Sequence, residues 1–593
     1  MIDNNKLRNF AIIAHVDHGK STLADRFLEL THTVEVDKHA DQLLDRNPIS
    51  RERGITIKLA PVRMHYTILP SEESKVENHD VLTLNLVDTP GHVDFSYEVD
   101  RTLACVEGVI LLVDATKGIQ AQTIANAYKA LEKNLTIIPV VNKIDLPSAQ
   151  VEKTRQQLVD FLGVKQEDIF EISAKTGLKV PELLETAIRL ISPPQITDKL
   201  SEQDLSALIF DSYYDSHRGV IAFVRVFVGK VKRGSKIKLA SGGKVFEVNE
   251  VGIFTPELEP SDELGPGEIG YVVTNLKDIH EVRVGDTLLY HKSEVGAVPG
   301  YRQVKPMVYA SIFTTDTADY LNLKRALEKL YLNDSSIESL PIYSHALGAG
   351  FRVGFLGLLH ADVVRERLER EFDLSLVLTP PKVEYKIENG DFYEPYVRLM
   401  ILMPQEYMGA VMQLCENYRG TFLTMDNKNQ ISISYKMPLS EMISDFFDRL
   451  KSVTSGYASL DWEFVEYIKV KADKLIILLN EEEVEEFSEV VVQERALEKG
   501  TELCKSLREL IPRQQFEVKI QAKFKGKILT SERISPYRKD VLIKSGKVVG
   551  AGDVGRKNKL LQKQKEGKKK MKMVGSVEIP KEAFMKLFKK EDG

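Results

Sequence analysis

The chain has 593 residues, of which 43% are hydrophobic and 28% are charged, and its formal net charge is −6. This length allows about four domains of ordinary size, and the composition is that of a globular protein. No stretch reaches the roughly 18 consecutive apolar residues of a membrane span, and the first residues lack the apolar core of a signal peptide, so we expect a cytoplasmic protein. The three cysteines are widely spaced, which indicates buried thiols rather than a disulfide framework or a zinc site.

A phosphate-binding loop is predicted near the N-terminus. An apolar run at 10–13 leads into AHVDHGKST at 14–22 and then into a helical pattern. A strand, a glycine-containing turn and a helix in this order direct backbone N–H groups at a polyphosphate, although Ala14 replaces the first glycine of the general pattern. The alternative is a strand-to-helix turn that happens to carry a lysine. We expect Lys20 to reach the β- and γ-phosphates and the Ser21 hydroxyl to bind Mg²⁺, within a nucleotide-binding set of Asp17, His18, Gly19, Lys20, Ser21 and Thr22.

Two later segments carry candidate contacts to Mg²⁺ and the γ-phosphate. The polar segment 51–57 ends near Thr56, which could supply a second hydroxyl to the metal. After an insert at 70–80, a strand at 82–87 delivers Asp88, Gly91 and His92. An aspartate at the end of such a strand suits a Mg²⁺-water ligand, and Gly91 lets an N–H approach the γ-phosphate. His92 would then orient the attacking water and is the predicted catalytic residue, whereas the alternative is a histidine satisfied by turn backbone.

The next motifs concern the base. An apolar strand at 136–141 presents Asn142, Lys143, Ile144 and Asp145. The Asp145 carboxylate can accept from both N1–H and the 2-amino group of guanine, and adenine would leave it unpaired. Lys143 would lie along the purine face, and Asn142 would tie this loop to the phosphate loop. A last motif, Ser173, Ala174 and Lys175, would place the Ala174 N–H near guanine O6.

Strands and helices alternate through these motifs, which favours a mostly parallel sheet with its site at the carboxyl ends of the strands. The motifs at 14–22, 51–57, 88–92, 142–145 and 173–175 together predict a GTPase domain over 1–195. An ATP-using P-loop enzyme is the alternative, and Asp145 argues against it.

The remainder of the chain completes a multidomain α/β protein. Short alternating strands broken by glycines predict an antiparallel β-barrel at 196–295, and two β-α-β-β-α-β patterns predict ferredoxin-like α+β sandwiches at 296–388 and 392–472. One continuous α+β domain is the alternative to the two sandwiches. A basic C-terminal α+β domain is expected at 473–593. The predicted helices of the sandwiches are 319–332, 358–372, 405–418 and 439–451, and the predicted strands are 308–313, 351–357, 374–378, 383–387, 396–403, 422–425, 430–435 and one around Trp462.

The C-terminal domain has an uneven charge. Residues 481–489 hold six glutamates and no base, whereas residues 553–573 hold nine bases and two acids. Such a basic block favours contact with a polyanion, and the absence of interleaved aromatics favours phosphate contacts over base readout. The alternative is a solvated tail without a partner. The candidate RNA-binding residues are Arg538, Lys539, Arg556, Lys557, Lys559, Lys563, Lys565, Lys568, Lys569 and Lys570.

These segments also carry a family resemblance. The five nucleotide motifs resemble the translational GTPases, and residues 350–360 look like the third domain of elongation factor G and its relatives. Only residues 388–391 and a few neighbours separate the two sandwiches, so the large tRNA-mimicking domain of elongation factor G is missing. Residues 513–516, 535–541 and 552–572 resemble the C-terminal domain that is unique to the LepA family.

The resemblance implies a ribosome-dependent GTPase that uses GTP/GDP and Mg²⁺, with Val16 and Ile55 flanking His92 and weak intrinsic hydrolysis that the 70S ribosome stimulates. It further implies a monomer that contacts tRNA, remodels translocated ribosomes or acts in fidelity or assembly, and associates peripherally with the cytoplasmic face of the cell membrane. The alternatives are a BipA-like ribosome-assembly GTPase, and a constitutive RNA-binding factor whose nucleotide site is structural.

Overall fold

In the residues that the computed structural model describes, the secondary structure forms five units, each built around one larger sheet. The residues that the structure describes are 3–34, 43–45, 48–54, 56–67, 81–195, 204–215, 217–276, 281–293, 296–298, 305–334, 336–344, 347–427, 431–537, 543–544, 547–548, 558–559 and 561–563.

The first unit is a six-stranded sheet flanked by helices. Its strands are Leu7–Ala14 (β1), Ala60–Thr67 (β2), Val81–Asp88 (β3), Gly108–Asp114 (β4), Thr136–Asn142 (β5) and Phe170–Glu171 (β6). Its helices are Lys20–Leu30 (α1), Pro48–Arg53 (α2), Ser96–Leu103 (α3), Ala121–Glu132 (α4), Val151–Leu162 (α5) and Val180–Leu190 (α6). The strand order is β2-β3-β1-β4-β5-β6, and every pair is parallel except the β2–β3 hairpin.

Both faces of this sheet are covered, which explains the continuous apolar runs in its central strands. Alternate residues of β1 enter different cores: Phe10 and Ile12 pack on one face, and Ala11 and Ile13 on the other. Since β1, β3, β4 and β5 are parallel, their carboxyl ends meet at one edge of the sheet. The phosphate loop, the loop after Asp88 and the base loop all follow these ends, whereas Thr56 lies between α2 and β2.

The second unit is an antiparallel sheet of eight strands in the order β11-β10-β16-β7-β8-β15-β12-β13, with a separate β9–β14 pair. The predicted β-barrel region therefore consists of antiparallel strands. They are Ser206–Asp215 (β7), Gly219–Val228 (β8), Val231–Lys232 (β9), Lys236–Leu239 (β10), Val245–Glu247 (β11), Glu250–Thr255 (β12), Glu257–Ser261 (β13), Glu263–Leu264 (β14), Ile269–Val273 (β15) and Thr287–Tyr290 (β16).

The third unit has the strand order β18-β19-β17-β20, with β21 also paired to β17. Its strands are Val308–Thr314 (β17), Glu338–Ser344 (β18), Gly348–Phe355 (β19), Leu376–Leu378 (β20) and Lys382–Val383 (β21), and its helices are Tyr320–Asn333 (α7) and Leu358–Phe372 (α8). The sequence did not predict β18, because this edge strand is mostly exposed and contains Pro341, and it placed β19 a few residues late.

The fourth unit repeats this plan. Its strands are Lys386–Glu388 (β22), Asp391–Met403 (β23), Thr421–Asn427 (β24), Ile431–Pro438 (β25) and Ser459–Val470 (β26), and its helices are Met408–Asn417 (α9), Leu439–Glu441 (α10) and Phe447–Val453 (α11). A π-helical turn, Met442–Phe446, joins α10 to α11. Because β22 forms a hairpin with β23, the predicted boundary between the sandwiches falls inside the fourth sheet.

The fifth unit is a four-stranded antiparallel sheet with one helix across it, followed by a short two-stranded pair. Its elements are Ala472–Leu479 (β27), Glu482–Val492 (β28), Ala496–Leu510 (α12), Val518–Phe524 (β29), Lys527–Ile534 (β30), Ile543–Lys544 (β31) and Lys547–Val548 (β32). Phe313, Leu347 and Val377 of the third unit join its core. The fifth unit thus packs against the third.

The three cysteines are free and buried, as predicted. Within the part of the chain that the structure describes, every helix is too short or too polar to cross a bilayer. The multidomain fold predicted from the sequence, with one mostly parallel sheet followed by an antiparallel β unit and antiparallel α+β units, is confirmed.

Candidate functional site

The phosphate loop connects β1 to α1 in a conformation that depends on two left-handed residues, Asp17 and Gly19. At Gly19 a Cβ would lie 2.4 Å from Nδ2 of Asn142, so the close approach of the base loop also requires glycine. Lys20 begins α1, and its side chain is buried. The N-terminus of α1 therefore opens toward the edge where the strands end, which suits an anion.

Oxygen ligands from four segments converge beside Lys20. Its Nζ lies 2.6 Å from both Asp88 Oδ1 and Thr56 Oγ1. The Ser21 hydroxyl donates to Asp45 Oδ2 at 3.1 Å and lies 3.5 Å from Thr56 Oγ1. The structure therefore brings together the three predicted metal ligands, Ser21, Thr56 and Asp88. Hydroxyl and carboxylate oxygens are the ligands that Mg²⁺ prefers, so this donor set fits that ion.

Asp45 is a further member of this group. Its Oδ2 also accepts from the Thr56 hydroxyl at 3.4 Å, and the residue is buried. Burial, together with the neighbouring charge of Asp88, raises the pKa of Asp45. The carboxylates of Asp45 and Asp88 repel each other, and a bound cation would relieve this repulsion.

The base loop is held against the phosphate loop by two side chains. Asn142 Nδ2 donates to the His18 carbonyl at 2.9 Å, and Lys143 Nζ donates to the Asp17 carbonyl at 2.5 Å. Asp145 follows in the turn after β5, and its side chain is exposed. The predicted tie between the two loops is present in the structure, and the Asp145 carboxylate is open to a purine.

Asn142 also joins the third nucleotide loop, through its Oδ1, which accepts from the Ala174 N–H at 2.9 Å. The sequence assigned this N–H to guanine O6, whereas in the structure it serves Asn142. Arg26 donates to the carbonyls of Ala174 and Lys175 at 3.0 Å each, so the loop that begins at Ser173 is anchored to α1. Ala174 would have to exchange partners before it could contact a base.

A buried chain of contacts runs from His18 to Lys143 through Asp114. His18 Nδ1 accepts the Asp114 N–H at 3.2 Å, and the Asp114 carboxylate pairs with Lys143 Nζ at 2.7 Å. Burial lowers the pKa of His18 to about 4, which keeps the ring neutral and able to accept this bond. Burial alone would raise the pKa of Asp114, but the hydrogen bonds from Lys143 and Thr116 lower it. Asp114 thereby holds Lys143 in place at the base loop.

His92 lies in the loop that follows β3, directly after Gly91. At Gly91 a Cβ would lie 3.2 Å from the Ala14 carbonyl oxygen, so this segment lies directly against the phosphate loop. His92 Nδ1 accepts the Asp94 N–H at 3.2 Å, and burial lowers the pKa of His92. The ring is therefore neutral, and its proton is on Nε2. In this form Nε2–H can donate to a water molecule but cannot take a proton from it.

Comparison with known proteins gives the same assignment over nearly the whole chain. Family models match at 5–193 (elongation factor Tu GTP binding domain), 219–289 (elongation factor Tu domain 2), 391–477 (elongation factor G C-terminus) and 479–589 (GTP-binding protein LepA C-terminus). Proteins named elongation factor 4 from Desulfitobacterium hafniense and Clostridium botulinum are each 48% identical, over 99% of this chain and 99% of their own. The chain belongs to the elongation factor 4 (LepA) family. It is a translational GTPase that hydrolyses GTP and depends on the ribosome.

One further relative agrees with this membership of the elongation factor 4 family, and one solved structure agrees with the fold. The elongation factor 4 of Lactobacillus delbrueckii subsp. bulgaricus is 48% identical over 99% of this chain and 97% of its own length. Among solved structures, the crystal structure of a protein from Thermus thermophilus superposes with a TM-score of 0.56, over 78% of this chain and 97% of the other, at 16% identity. That last likeness concerns the fold alone.

Some of the site residues predicted from the sequence of this elongation factor 4 family member fall outside the described residues. They are Ile55, the expected neighbour of His92, and eight of the candidate RNA-binding residues: Arg538, Lys539, Arg556, Lys557, Lys565, Lys568, Lys569 and Lys570. The other two, Lys559 and Lys563, lie in short helical pieces and are exposed. The RNA-binding role remains a prediction.

Sequence reasoning missed three carboxylates at this site: Asp45, Asp94 and Asp114. Asp45 and Asp94 lie in polar segments, where an acidic residue is ordinary, and their partners are distant in the chain. Asp114 gave a usable signal, since it ends a fully buried strand beside the strand that ends at Asn142. A carboxylate at the carboxyl end of a parallel strand lies at the ligand-binding edge of the sheet.

The depressed pKa of His18 predicts a pH-dependent stability. An unfolded histidine titrates near pH 6.5, so the unfolded chain takes up a proton at this position between pH 7 and pH 5. Folded His18 has a pKa of about 4 and stays unprotonated over the same range. Stability is lost as the pH falls, by about 2 kcal/mol at pH 5 from this group. His18→Gln keeps a hydrogen-bond acceptor but does not titrate. Urea unfolding followed by circular dichroism should show that this variant loses about 2 kcal/mol less than the wild type between pH 7 and pH 5.

The matched control is His217→Gln, because His217 is an exposed histidine of the second unit. It should keep the pH dependence of the wild type. Equal losses in the wild type and His18→Gln would contradict the assignment of a buried neutral ring to His18.

Proposed function

We propose that this translational GTPase binds GTP with Mg²⁺ at the carboxyl edge of the first sheet and uses the γ-phosphate to hold the segments around Thr56 and Gly91. The observation that carries the proposal is the convergence of Lys20 and Ser21, at the start of α1, with Thr56 and Asp88 from two other segments of the first unit. Lys20 contacts the β- and γ-phosphates in place of its present carboxylate partner. When the γ-phosphate leaves, Thr56 and Gly91 lose their contacts to it, and both segments are released.

Mg²⁺ would be held by the hydroxyls of Ser21 and Thr56, with Asp88 and Asp45 beside it, and when bound it neutralises charge on the phosphates. Asp145 selects guanine through its two acceptor oxygens. His92 orients the attacking water by donating from Nε2, which is the role that its neutral tautomer permits. Hydrolysis is slow until docking on the ribosome places His92 against that water.

The factor acts as a monomer in the cytoplasm, beside the tRNA sites of the 70S ribosome, and changes the position of tRNA on translocated ribosomes. The basic segment at 553–573 contacts tRNA or ribosomal RNA through phosphates. The same positive charge supports peripheral association with an anionic membrane surface.

GTP hydrolysis by the full chain tests the enzymatic part of the proposal. We expect a rate that rises strongly on adding 70S ribosomes and falls to background on adding EDTA. Toeprinting of translocated ribosomes, with GTP or a non-hydrolysable analogue, tests the action on tRNA. A toeprint that does not move with either nucleotide would contradict tRNA remodelling and leave the GTPase assignment intact.

The basic segment gives a prediction of its own. Replacing Lys568, Lys569 and Lys570 with alanine removes three phosphate contacts, so ribosome binding should weaken. The slope of log K against log salt should become shallower by roughly 2 to 3 units. Filter binding of labelled protein to 70S ribosomes at several salt concentrations measures both effects.

A control variant should remove the same charge from another exposed surface. Lys133, Lys153 and Lys165 are exposed lysines of the first unit. Replacing these three with alanine should leave the salt slope unchanged. If both triple variants flatten the slope equally, the effect is one of net charge and the basic segment is not the contact.

A further inference from the structure

The N-terminus of α8 in the third unit receives its cap from the first unit. The Asp94 carboxylate accepts from the N–H groups of Leu359 at 2.8 Å and His360 at 3.4 Å. Gly357, which precedes the helix, has no side chain that could serve as a cap. At Gly357 a Cβ would lie 2.2 Å from the Asp94 carboxyl carbon, so the two units approach each other as closely as they do only because this residue is glycine.

The main chain of the same aspartate holds the ring of His92. The Asp94 N–H donates to His92 Nδ1 at 3.2 Å, and this bond fixes both the ring orientation and the tautomer with its proton on Nε2. Asp94 is buried, so water does not compete strongly for either contact. One residue therefore bonds through its side chain to α8 and through its backbone to the candidate catalytic histidine.

The neighbouring contacts hold this arrangement from both sides. Phe95 packs edge-to-face against His92, with ring centroids 6.4 Å apart, and against His360, with centroids 6.0 Å apart. His360 is itself fixed, because its Nε2 lies 2.9 Å from Asp334 Oδ2 and its Nδ1 accepts the Leu356 N–H at 3.2 Å. The start of α8 is thus a rigid platform for the segment 92–95.

The same helix also contacts the segment that precedes Thr56. Arg53 pairs with Glu366 at 2.6 Å, and Glu52 pairs with Arg370 at 2.5 Å. The second of these pairs is largely exposed and contributes little stability by itself. Both pairs place α8 against the segment that precedes Thr56, and the Asp94 cap places it against the segment that follows Gly91.

We infer that Asp94 is a positioning residue for GTP hydrolysis, which orients His92 only while α8 is docked on the first unit. The inference rests on the catalytic role proposed for His92. Hydrolysis then requires α8 of the third unit to be docked on the first unit. When α8 moves away, Asp94 loses its two contacts to the helix, and His92 loses its fixed orientation.

Two substitutions on opposite sides of the contact test this role. Asp94→Ala removes the cap, and Gly357→Ala leaves Asp94 intact but displaces it. Each should lower kcat for GTP hydrolysis at saturating 70S ribosomes by about 10- to 100-fold, because small misplacements of a catalytic group have costs of this size. KM for GTP and GDP affinity should stay unchanged, since neither residue contacts the phosphate or base loops. Asp94→Asn, which keeps an acceptor oxygen, should restore most of the rate.

Combined variants separate positioning from a general structural effect. If Asp94 acts through His92, adding Asp94→Ala to His92→Ala should cause no further loss of kcat. The variants Asp316→Ala, which removes an exposed helix cap of the third unit, and Gly409→Ala, at a glycine with open space around it, are the controls. Both should retain the wild-type kcat, and thermal unfolding should confirm that all variants are folded.

The possible outcomes are distinct. If His92→Ala lowers kcat while Asp94→Ala and Gly357→Ala behave as wild type, the positioning role is overturned and the proposed function stands. A full additional loss in the double variant with His92→Ala would also overturn it. If His92→Ala itself retains the stimulated rate, the role proposed for His92 falls together with the inference.

Discussion

Replacing Asp145 with asparagine should lower the affinity for GTP by about 100-fold or more, because the negative charge is lost and only one of the two acceptor oxygens remains. The asparagine amide would keep one acceptor oxygen but would set its NH₂ group against the other guanine donor, whether N1–H or the 2-amino group. Xanthine carries a carbonyl at position 2, which can accept from that amide. The variant should therefore prefer xanthosine triphosphate to GTP.

Asp145 suits this test because its side chain is exposed and lies in a turn outside the core of the first sheet. Isothermal titration calorimetry with GTP, ATP and xanthosine triphosphate measures the change. The control Asp160→Asn alters an exposed aspartate of α5 in the same unit and should bind GTP as the wild type does. Unchanged GTP affinity in Asp145→Asn would refute the assignment of this loop to the base.

Replacing His92 with alanine should lower the ribosome-stimulated rate of GTP hydrolysis by about 10²-fold or more, because the attacking water loses the group that orients it. GTP affinity should not change, because His92 lies beside Gly91 and outside the phosphate loop. Single-turnover hydrolysis with saturating 70S ribosomes isolates this step. An unchanged rate would mean that another group orients the water.

The tautomer of His92 refines this prediction. Since Nδ1 accepts the Asp94 N–H, the ring offers only its Nε2–H to the water. Glutamine also carries a donor N–H at the end of its side chain, so His92→Gln should retain more activity than His92→Ala. If the two variants were equally slow, donation from Nε2 would not be the contribution of this residue.

The sequence predicted those parts of the nucleotide site that lie close to strand ends. Ser21, Asp88 and Asn142 each follow or end a strand of strong apolar character, and parallel strands bring their carboxyl ends to one edge. For these residues, local pattern and topology together sufficed. Thr56 lies in a polar segment and was predicted from the chemistry of its hydroxyl, and the structure places it within 2.6 Å of Lys20 Nζ.

The contacts between units could not be predicted in this way. Asp94 and Leu359 are separated by 265 positions, and nothing in the local pattern of either segment indicates the other. The edge strand β18 was missed for a related reason, since it is mostly exposed and owes its place to pairing with β19. The Ala174 N–H was assigned to a base, but Asn142 competes for it in the folded chain.

Local patterns in this chain determined the order of its elements, the guanine-nucleotide chemistry and the membership of the translational GTPases, because apolar periodicity and short polar motifs act over a few residues. Tertiary structure alone decided which side chains support those motifs: Asp45 beside the metal ligands, Asp114 behind Lys143, and Asp94 between His92 and α8. The physical reason is that a buried carboxylate is stable only where distant N–H, O–H or cationic groups meet it, and packing of the sheets and helices brings those groups into place.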